Sequence, residues 1–145
     1  VFATDSTIFA QQLESLKDVP FSGIKLGLLP NVEIVELALD FVKKQKNIPI
    51  VLDPVLVCKE SHDVEVSALR EELLKFFPYA TIITPNLVEA ELLAQKSIQN
   101  LEDMKAVAKE LYDLGAQHVV IKGGNRFSQE LAVDVFYDGQ DFHIL

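Results

Sequence analysis

The stretch Ile48–Pro54, with the sequence IPIVLDP, decides the fold of this chain. Ile48 to Leu52 form a continuous β-branched and apolar run, of the kind that is buried on both faces in a parallel sheet. Asp53 and Pro54 end that run. The stretch therefore predicts an inner strand of a parallel sheet with a carboxylate at its carboxyl end.

Outward from this strand, apolar runs alternate with helical periods along the whole chain. Further strands are predicted at Gly23–Leu29, Ala80–Thr84 and Val119–Lys122. Five helices are predicted, the first from Asp5 and Ser6 to about Leu16 and the second from Asn31. The third runs from about Ser67 to about Phe77, after a loop from Val57 to Val66. The fourth runs from Asn86 through Leu93, and the fifth begins at Asn100 and has Gly115 as its C-cap. Such alternation predicts right-handed crossovers and a mainly parallel sheet with helices on both faces.

The end of the chain changes character. The apolar segments Ala132–Tyr137 and Phe142–Leu145 flank Asp138-Gly139, which is a strong hairpin signal. We predict an antiparallel hairpin at the edge of the sheet.

Composition and charge exclude several classes of function. The 145 residues are 49% hydrophobic and carry a net charge of −9, which suits one α/β domain and argues against a nucleic-acid or anionic-membrane surface. No apolar run approaches the roughly 18 to 20 residues of a membrane span. The single cysteine, Cys58, fits a reducing, cytoplasmic compartment and is interpreted as a small buried residue. Any anionic ligand must be held by a few local groups or a metal.

Polar residues follow three consecutive predicted strands, as Asp53, as Thr84 and Asn86, and as Lys122, while another strand contains Gly27, where backbone could approach a ligand. Ligands of open α/β sheets bind outside the carboxyl ends of the strands. The convergence of these residues predicts a site at that edge.

Asn86 and Glu89 have two interpretations. The pair has the spacing of a capping box, and Asn100–Asp103 has a similar shape before a helix without needing a ligand. Asn86, however, directly follows a buried strand and opens a helix whose amides face the expected crevice.

Lys122 is either a rim lysine or a point charge for phosphate, with Gly123 and Gly124 letting backbone come close. Asp53 either ends a strand or orients magnesium through water. P-loop and Rossmann fingerprints are absent from the sequence, and the residues His62, His118 and His143 are too scattered to suggest zinc.

Six segments of the chain resemble, in order, those of the ribokinase-like vitamin kinases. They are Ile24–Leu29, Val51–Lys59, Ala68–Leu73, Thr81–Ala90, Glu102–Met104 and Val120–Gly124. Within that family the chain is most similar to the pyridoxine/pyridoxal kinases of the hydroxymethylpyrimidine (phosphomethylpyrimidine) kinase type. Cys58 resembles the pyridoxine branch, since the pyrimidine kinases more often have Ala or Ser there.

The resemblance implies a ribokinase-like fold, ATP-dependent phosphorylation of a vitamin hydroxymethyl group, a cytoplasmic location and a homodimer. It places these residues around ATP and its Mg²⁺: Asp53, Thr84, Asn86, Glu89, Lys122, Gly123 and Gly124, with Asp53 and Glu89 on the metal through water. It places Leu28 and Val55, next to Gly27, at the vitamin ring, although the family more often has Met at the position of Leu28.

Two segments of the family have no match in the sequence. These are the Gly-rich substrate segment near the N-terminus and the Gly-rich loop that follows the position of Leu145 and activates the attacking hydroxyl. The first residue is Val1, Met104 is the one methionine, and the sequence stops at Asp141–Leu145 in the middle of an apolar stretch. Together with the two missing segments, this leads us to expect that residues 1–145 are an incomplete single domain of a longer kinase, inactive alone and lacking the catalytic base.

Three other interpretations stay open or are weaker. A hydroxymethylpyrimidine or phosphomethylpyrimidine kinase of thiamine synthesis keeps the fold and changes the substrate. A non-catalytic α/β module would use the strand-end polar groups only as caps. A flavodoxin-like domain lacks support, since no phosphate-loop Ser/Thr run is present.

Overall fold

The structure, a computed structural model, describes residues 3–56, 63–127 and 131–145. The helices are α1 (Ser6–Ser15), α2 (Val32–Lys43), α3 (Asp63–Leu74), α4 (Leu87–Ala94) and α5 (Leu101–Asp113), with one 3-10 turn at Phe77–Tyr79. The strands are β1 (Ile24–Leu26), β2 (Ile50–Leu52), β3 (Ile82–Ile83), β4 (Val119–Lys122), β5 (Asp134–Tyr137) and β6 (Phe142–Ile144).

The six strands form one sheet in chain order, β1 to β6. The first four are parallel to one another, whereas β5 is antiparallel to both β4 and β6. At the β5–β6 turn the Asp138 side chain accepts bonds from the amides of Gln140 and Asp141, and Gly139 adopts a φ of 97° that favours glycine. The predicted parallel sheet with an antiparallel edge hairpin is confirmed.

The described helices form a single layer, because each contacts the next in series from α1 to α5. Right-handed crossovers between strands that are neighbours in chain order all return over the same face. Accordingly Leu52, Ile121 and Val135 are buried under the helices, while the alternate residues Val51 and Val120 stay partly exposed. We expected helices on both faces of the sheet, but in the described residues the helices cover one face only.

Asparagine and aspartate caps begin the helices as predicted. The Asp5 carboxylate accepts from the Thr7 amide at 2.9 Å, and the Asn31 side chain accepts from the Ile34 amide at 3.0 Å. These bonds satisfy amides that the first turn of a helix leaves without partners.

Helix α3 differs from the prediction at both ends. It begins at Asp63, so the predicted loop Val57–Val66 is wrong from Asp63 onward, and residues 57–62 lie outside the described part. The start of the helix has no helical spacing of apolar residues that could reveal it, because Glu65 is exposed and the buried residues Leu69 and Leu73 come later. The helix ends at Leu74 and not near Phe77, because Pro78 has no amide hydrogen to donate to Leu74 O and continue the α-helix.

The core lies between the sheet and the helical layer. Its largest fully buried side chains include Phe76, Phe77, Leu52, Leu73, Ile83, Leu93, Met104, Leu111 and Ile121. Among the described residues, no helix combines the length and apolar character needed to cross a bilayer.

Candidate active site at the carboxyl edge of the sheet

The backbone ladder continues past the parallel strands and fixes the polar residues that follow them. The Asp53 amide donates to Leu26 O, and the Thr84 amide donates to Leu52 O, both at 2.9 Å. The Lys122 amide donates to Pro85 O at 2.8 Å, and Lys122 forms a parallel bridge with Asn86. Because these bonds are in register, the predicted side chains meet at one edge.

Asp53 is the centre of the polar cluster. Its Oδ1 accepts from Lys122 Nζ at 2.9 Å and from Thr84 Oγ1 at 3.2 Å. The Asp53 side chain is 23% exposed and that of Lys122 is 42% exposed. The structure thus brings Asp53, Thr84 and Lys122, which lie far apart in the sequence, into direct contact.

Asn86 and Glu89 form a complete capping box at the start of α4. The Asn86 side chain accepts from the Glu89 amide at 2.9 Å, and Glu89 Oε2 accepts from the Asn86 amide at 2.8 Å. The structural interpretation of this pair is therefore confirmed, although it does not exclude ligand binding.

Glu89 is nevertheless unusual for a capping residue, because it is only 4% exposed. Burial raises the pKa of its carboxyl above the ordinary value of 4.5, and the negative charge of Asp53 acts in the same direction. The hydrogen bond from the Asn86 amide and the charge of Lys122 oppose the shift. The charges of Asp53 and Lys122 thus contribute to the pKa of Glu89 in opposite directions.

The two glycines after Lys122 have different roles. A Cβ on Gly123 would lie 2.1 Å from Val133 O, so no larger residue fits there. The Gly123 amide donates to Asp134 Oδ1 at 3.0 Å, which occupies the amide that we expected to face a ligand. Gly124 has a φ of 55°, with open space where a side chain would stand.

Asp134 is a residue that the sequence did not single out. It lies on β5 opposite Lys122 and holds the Gly123 amide, so it fixes the turn that follows Lys122. The register of β5 against β4 would have revealed it. That register cannot be deduced from the sequence, because ten or so residues separate the two strands instead of a short turn.

The residues predicted to bind the substrate follow β1 and β2 at the same carboxyl edge of the sheet, and they are not members of the polar cluster. Gly27 follows Leu26, which pairs with Leu52, so Gly27 is level with Asp53. Leu28 is 46% exposed and Val55 is partly buried.

The other sequence candidates stay outside this site or outside the described residues. His118 bonds to Thr81 O at 2.9 Å and stacks on Phe136, which also stacks on His143. Cys58 and His62 belong to the segment 57–62, which the structure does not describe.

The donor set at this edge fits magnesium held with a nucleotide. Among the residues that the structure describes, no three His, Cys, Asp or Glu side chains form a metal cage. Mg²⁺ keeps several waters and usually takes one or two carboxylates together with substrate phosphates. Asp53 and Glu89 supply two carboxylates, and Thr84 adds a hydroxyl oxygen beside Asp53.

Comparisons with known proteins identify the family of the chain. The sequence profile of the family described as phosphomethylpyrimidine kinase matches residues 1–145. The pyridoxine kinase of Bacillus subtilis is 41% identical over all of this chain and 55% of its own length. The hydroxymethylpyrimidine/phosphomethylpyrimidine kinase of Aquifex aeolicus is 38% identical over 99% of this chain and 56% of its own length.

Among solved structures, the pyridoxal kinase of Staphylococcus aureus in complex with AMP-PCP and pyridoxal superposes with a TM-score of 0.88 at 35% identity. The superposition covers 99% of this chain and 52% of that one. The chain therefore spans about half the length of the relatives that it matches. On the full-length match of the family profile and the agreement in fold, the chain belongs to the phosphomethylpyrimidine kinase family.

Proposed function

We propose that this chain is the nucleotide-binding part of a longer ATP-dependent kinase that phosphorylates the hydroxymethyl group of pyridoxal or pyridoxine. The observation that carries the proposal is the meeting of Lys122, Thr84 and Asp53 at one strand edge. The buried Glu89 is tied to this edge through Asn86, whose amide it accepts from and which bridges to Lys122. The complex of the S. aureus kinase with AMP-PCP and pyridoxal supports it.

The cluster has the chemistry that phosphoryl transfer needs, which is mostly positioning and neutralisation of charge. The Lys122 ammonium would bind a phosphate oxygen, and the open side of Gly124 would let backbone approach the nucleotide. Asp53 and Glu89 would hold Mg²⁺ through water, with Thr84 and Asn86 orienting the two carboxylates. The metal, when bound, supplies positive charge to the phosphates.

The substrate side would lie at the ends of β1 and β2. Leu28 and Val55 offer apolar surface for a vitamin ring, and the space around Gly27 leaves room beside them. We propose that these three residues contact the substrate.

The group that activates the attacking hydroxyl would come from a part of the protein outside this chain. The coverage of 55% of the B. subtilis relative supports this division. We expect no turnover from the purified 145-residue chain. ATP-dependent formation of pyridoxal phosphate by that chain would contradict the proposal.

We further propose that the complete kinase is a cytoplasmic homodimer, as the family resemblance implies. Light scattering during gel filtration of the complete protein would show a mass of two subunits if this is right. A monomeric mass would refute the dimer and leave the catalytic proposal unchanged.

The substrate is tested by comparing kcat/KM for pyridoxal and for hydroxymethylpyrimidine on the complete protein. A preference for pyridoxal is expected. A preference for hydroxymethylpyrimidine or its phosphate would identify the enzyme of thiamine synthesis instead, an alternative that the A. aeolicus relative favours. The Cys58 argument for pyridoxal lies outside the described residues.

A non-catalytic module is the alternative of another class. Lys122→Ala and Glu89→Gln in the complete protein separate the two, with MgATP affinity measured by calorimetry. A loss of affinity in both variants supports the kinase, whereas unchanged affinity in both supports the inert module.

A further inference from the structure

The Lys122 side chain spans an entire strand to reach its partner. It starts on β4 and meets Asp53 after β2, with β3 lying between them in the sheet. Neighbouring strands are about 4.8 Å apart, so the side chain must extend across the end of β3 and over Thr84. The ammonium group consequently lies at Asp53 Oδ1, 2.9 Å away, and Thr84 bonds to the same oxygen.

This ion pair contributes little to stability but strongly affects what Asp53 can bind. Lys122 is 42% exposed, and pairs of that exposure are typically worth about 0–1 kcal/mol. While the pair exists, however, the ammonium group neutralises Asp53. A divalent cation on the same carboxylate would stand a few ångströms from the ammonium charge, and like charges at that distance repel strongly in a partly buried site.

We propose that Lys122 is an internal counter-ion that blocks Asp53 against Mg²⁺ until the phosphates of a nucleotide draw the lysine away. The inference rests on the proposed function, since it assumes that the site takes MgATP. Its consequence is positive coupling, because the nucleotide removes the ammonium group that competes with the metal. Reciprocity requires that the metal strengthen nucleotide binding by the same factor.

The test measures metal binding in the complete protein without turnover. Mn²⁺, whose free form is quantified by its EPR signal, is titrated into the wild type and into Lys122→Met with no nucleotide present. We expect Lys122→Met to bind Mn²⁺ on the order of tenfold more tightly, since the charge that competes at Asp53 is gone. Adding AMP-PCP should raise Mn²⁺ affinity in the wild type and much less in Lys122→Met.

Three further variants make the result specific. Lys109→Met removes the same charge from a pair with Asp113 on α5 and should leave Mn²⁺ affinity unchanged. Lys122→Arg keeps a cation beside Asp53 and should not show the gain in Mn²⁺ affinity without nucleotide that Lys122→Met shows. Asp53→Asn added to Lys122→Met should abolish the gain, because the carboxylate that takes the metal is lost. Thermal melts establish that each variant is folded.

Equal Mn²⁺ affinity in the wild type and in folded Lys122→Met would overturn the counter-ion role, as would an equal gain in Lys109→Met. Neither result affects the proposed function if the wild type binds AMP-PCP with Mn²⁺. Failure of the wild type to bind that combination at all would overturn the proposed function itself. The two failures are therefore distinguishable.

Discussion

Burial disfavours the ionised form of the Glu89 carboxyl. The carboxyl is 4% exposed, and its raised pKa means that the folded state binds a proton more readily than the unfolded state does. The stability that this gives is fully present below the ordinary value of 4.5 and is lost as pH rises through the raised pKa. In the absence of metal, ionisation of Glu89 therefore costs stability.

Glu89→Gln should remove this cost while damaging the site. With EDTA present, we expect the free energy of unfolding of the variant at pH 7 to equal or exceed that of the wild type, because the amide oxygen can still accept from the Asn86 amide. MgATP affinity should fall by about tenfold or more, the value of a hydrogen bond to a charged group. Urea unfolding over a series of pH values that starts below 4.5, the ordinary pKa of the carboxyl, and calorimetry measure the two effects. If the stability of the wild type and of Glu89→Gln changed with pH in the same way, the raised pKa of Glu89 would be contradicted.

Gly123 is a glycine for reasons of space. Gly123→Ala would bring a methyl group to 2.1 Å from Val133 O, a backbone atom that cannot rotate away. We expect a loss of about 1–3 kcal/mol, measured by urea unfolding. Gly27→Ala is the matched control, because no atom lies within 4 Å of its added Cβ. A stability loss at Gly27 equal to that at Gly123 would show that the close approach does not decide the effect.

At the scale of elements, α4 and α5 begin in the same way but lie in different surroundings. Each starts with an asparagine whose side chain accepts from the amide three residues later at 2.9 Å. Only α4 follows directly after a strand of the parallel sheet and carries a buried glutamate in its first turn. The cap of α5 therefore serves as a control within the same chain for the cap of α4, which lies at the candidate site.

Asn86→Ala and Asn100→Ala should each lose about 1 kcal/mol of stability, because each removes one N-cap bond. Nucleotide affinity should fall in Asn86→Ala alone, since that cap also orients Glu89. Urea unfolding and calorimetry with MgATP on both variants measure this. Equal nucleotide affinity in the two variants would make Asn86 a cap and nothing more.

The local elements were predictable because their signals are local. Caps at Asn86 and Asn100 and strands closed by Asp53 or Lys122 depend on residues within one turn or one strand. The start of α3 was missed because its buried anchors, Leu69 and Leu73, come only in its later turns, and the contact of Asp134 with Gly123 was missed because it depends on long-range register. The candidate site was predicted as a convergence of residues, whereas the pairing of Lys122 with Asp53 required the structure.

At the scale of the whole molecule, the net charge of −9 opposes the binding of ATP. Local cations must offset that field, and Lys122 is the cation that we propose for this role. We expect removal of Mg²⁺ by EDTA to weaken ADP binding to the complete protein by about tenfold or more, a value that corresponds to about 1.4 kcal/mol. Calorimetry with and without Mg²⁺ measures this. ADP affinity that does not change on chelation would contradict a metal-dependent site.

The strand order β1 to β6 has a consequence for how the chain folds. Each strand after β1 pairs with the strand that precedes it in the sequence, so no sheet contact has to close a loop longer than one connection, which limits the entropy cost of loop closure. During synthesis each new strand can add to an edge that already exists, in the direction in which the chain emerges. Asp53 and Thr84 are then in place early, and the site gains its ammonium group when β4 joins. Its final turn is fixed only after β5 delivers Asp134 to the Gly123 amide.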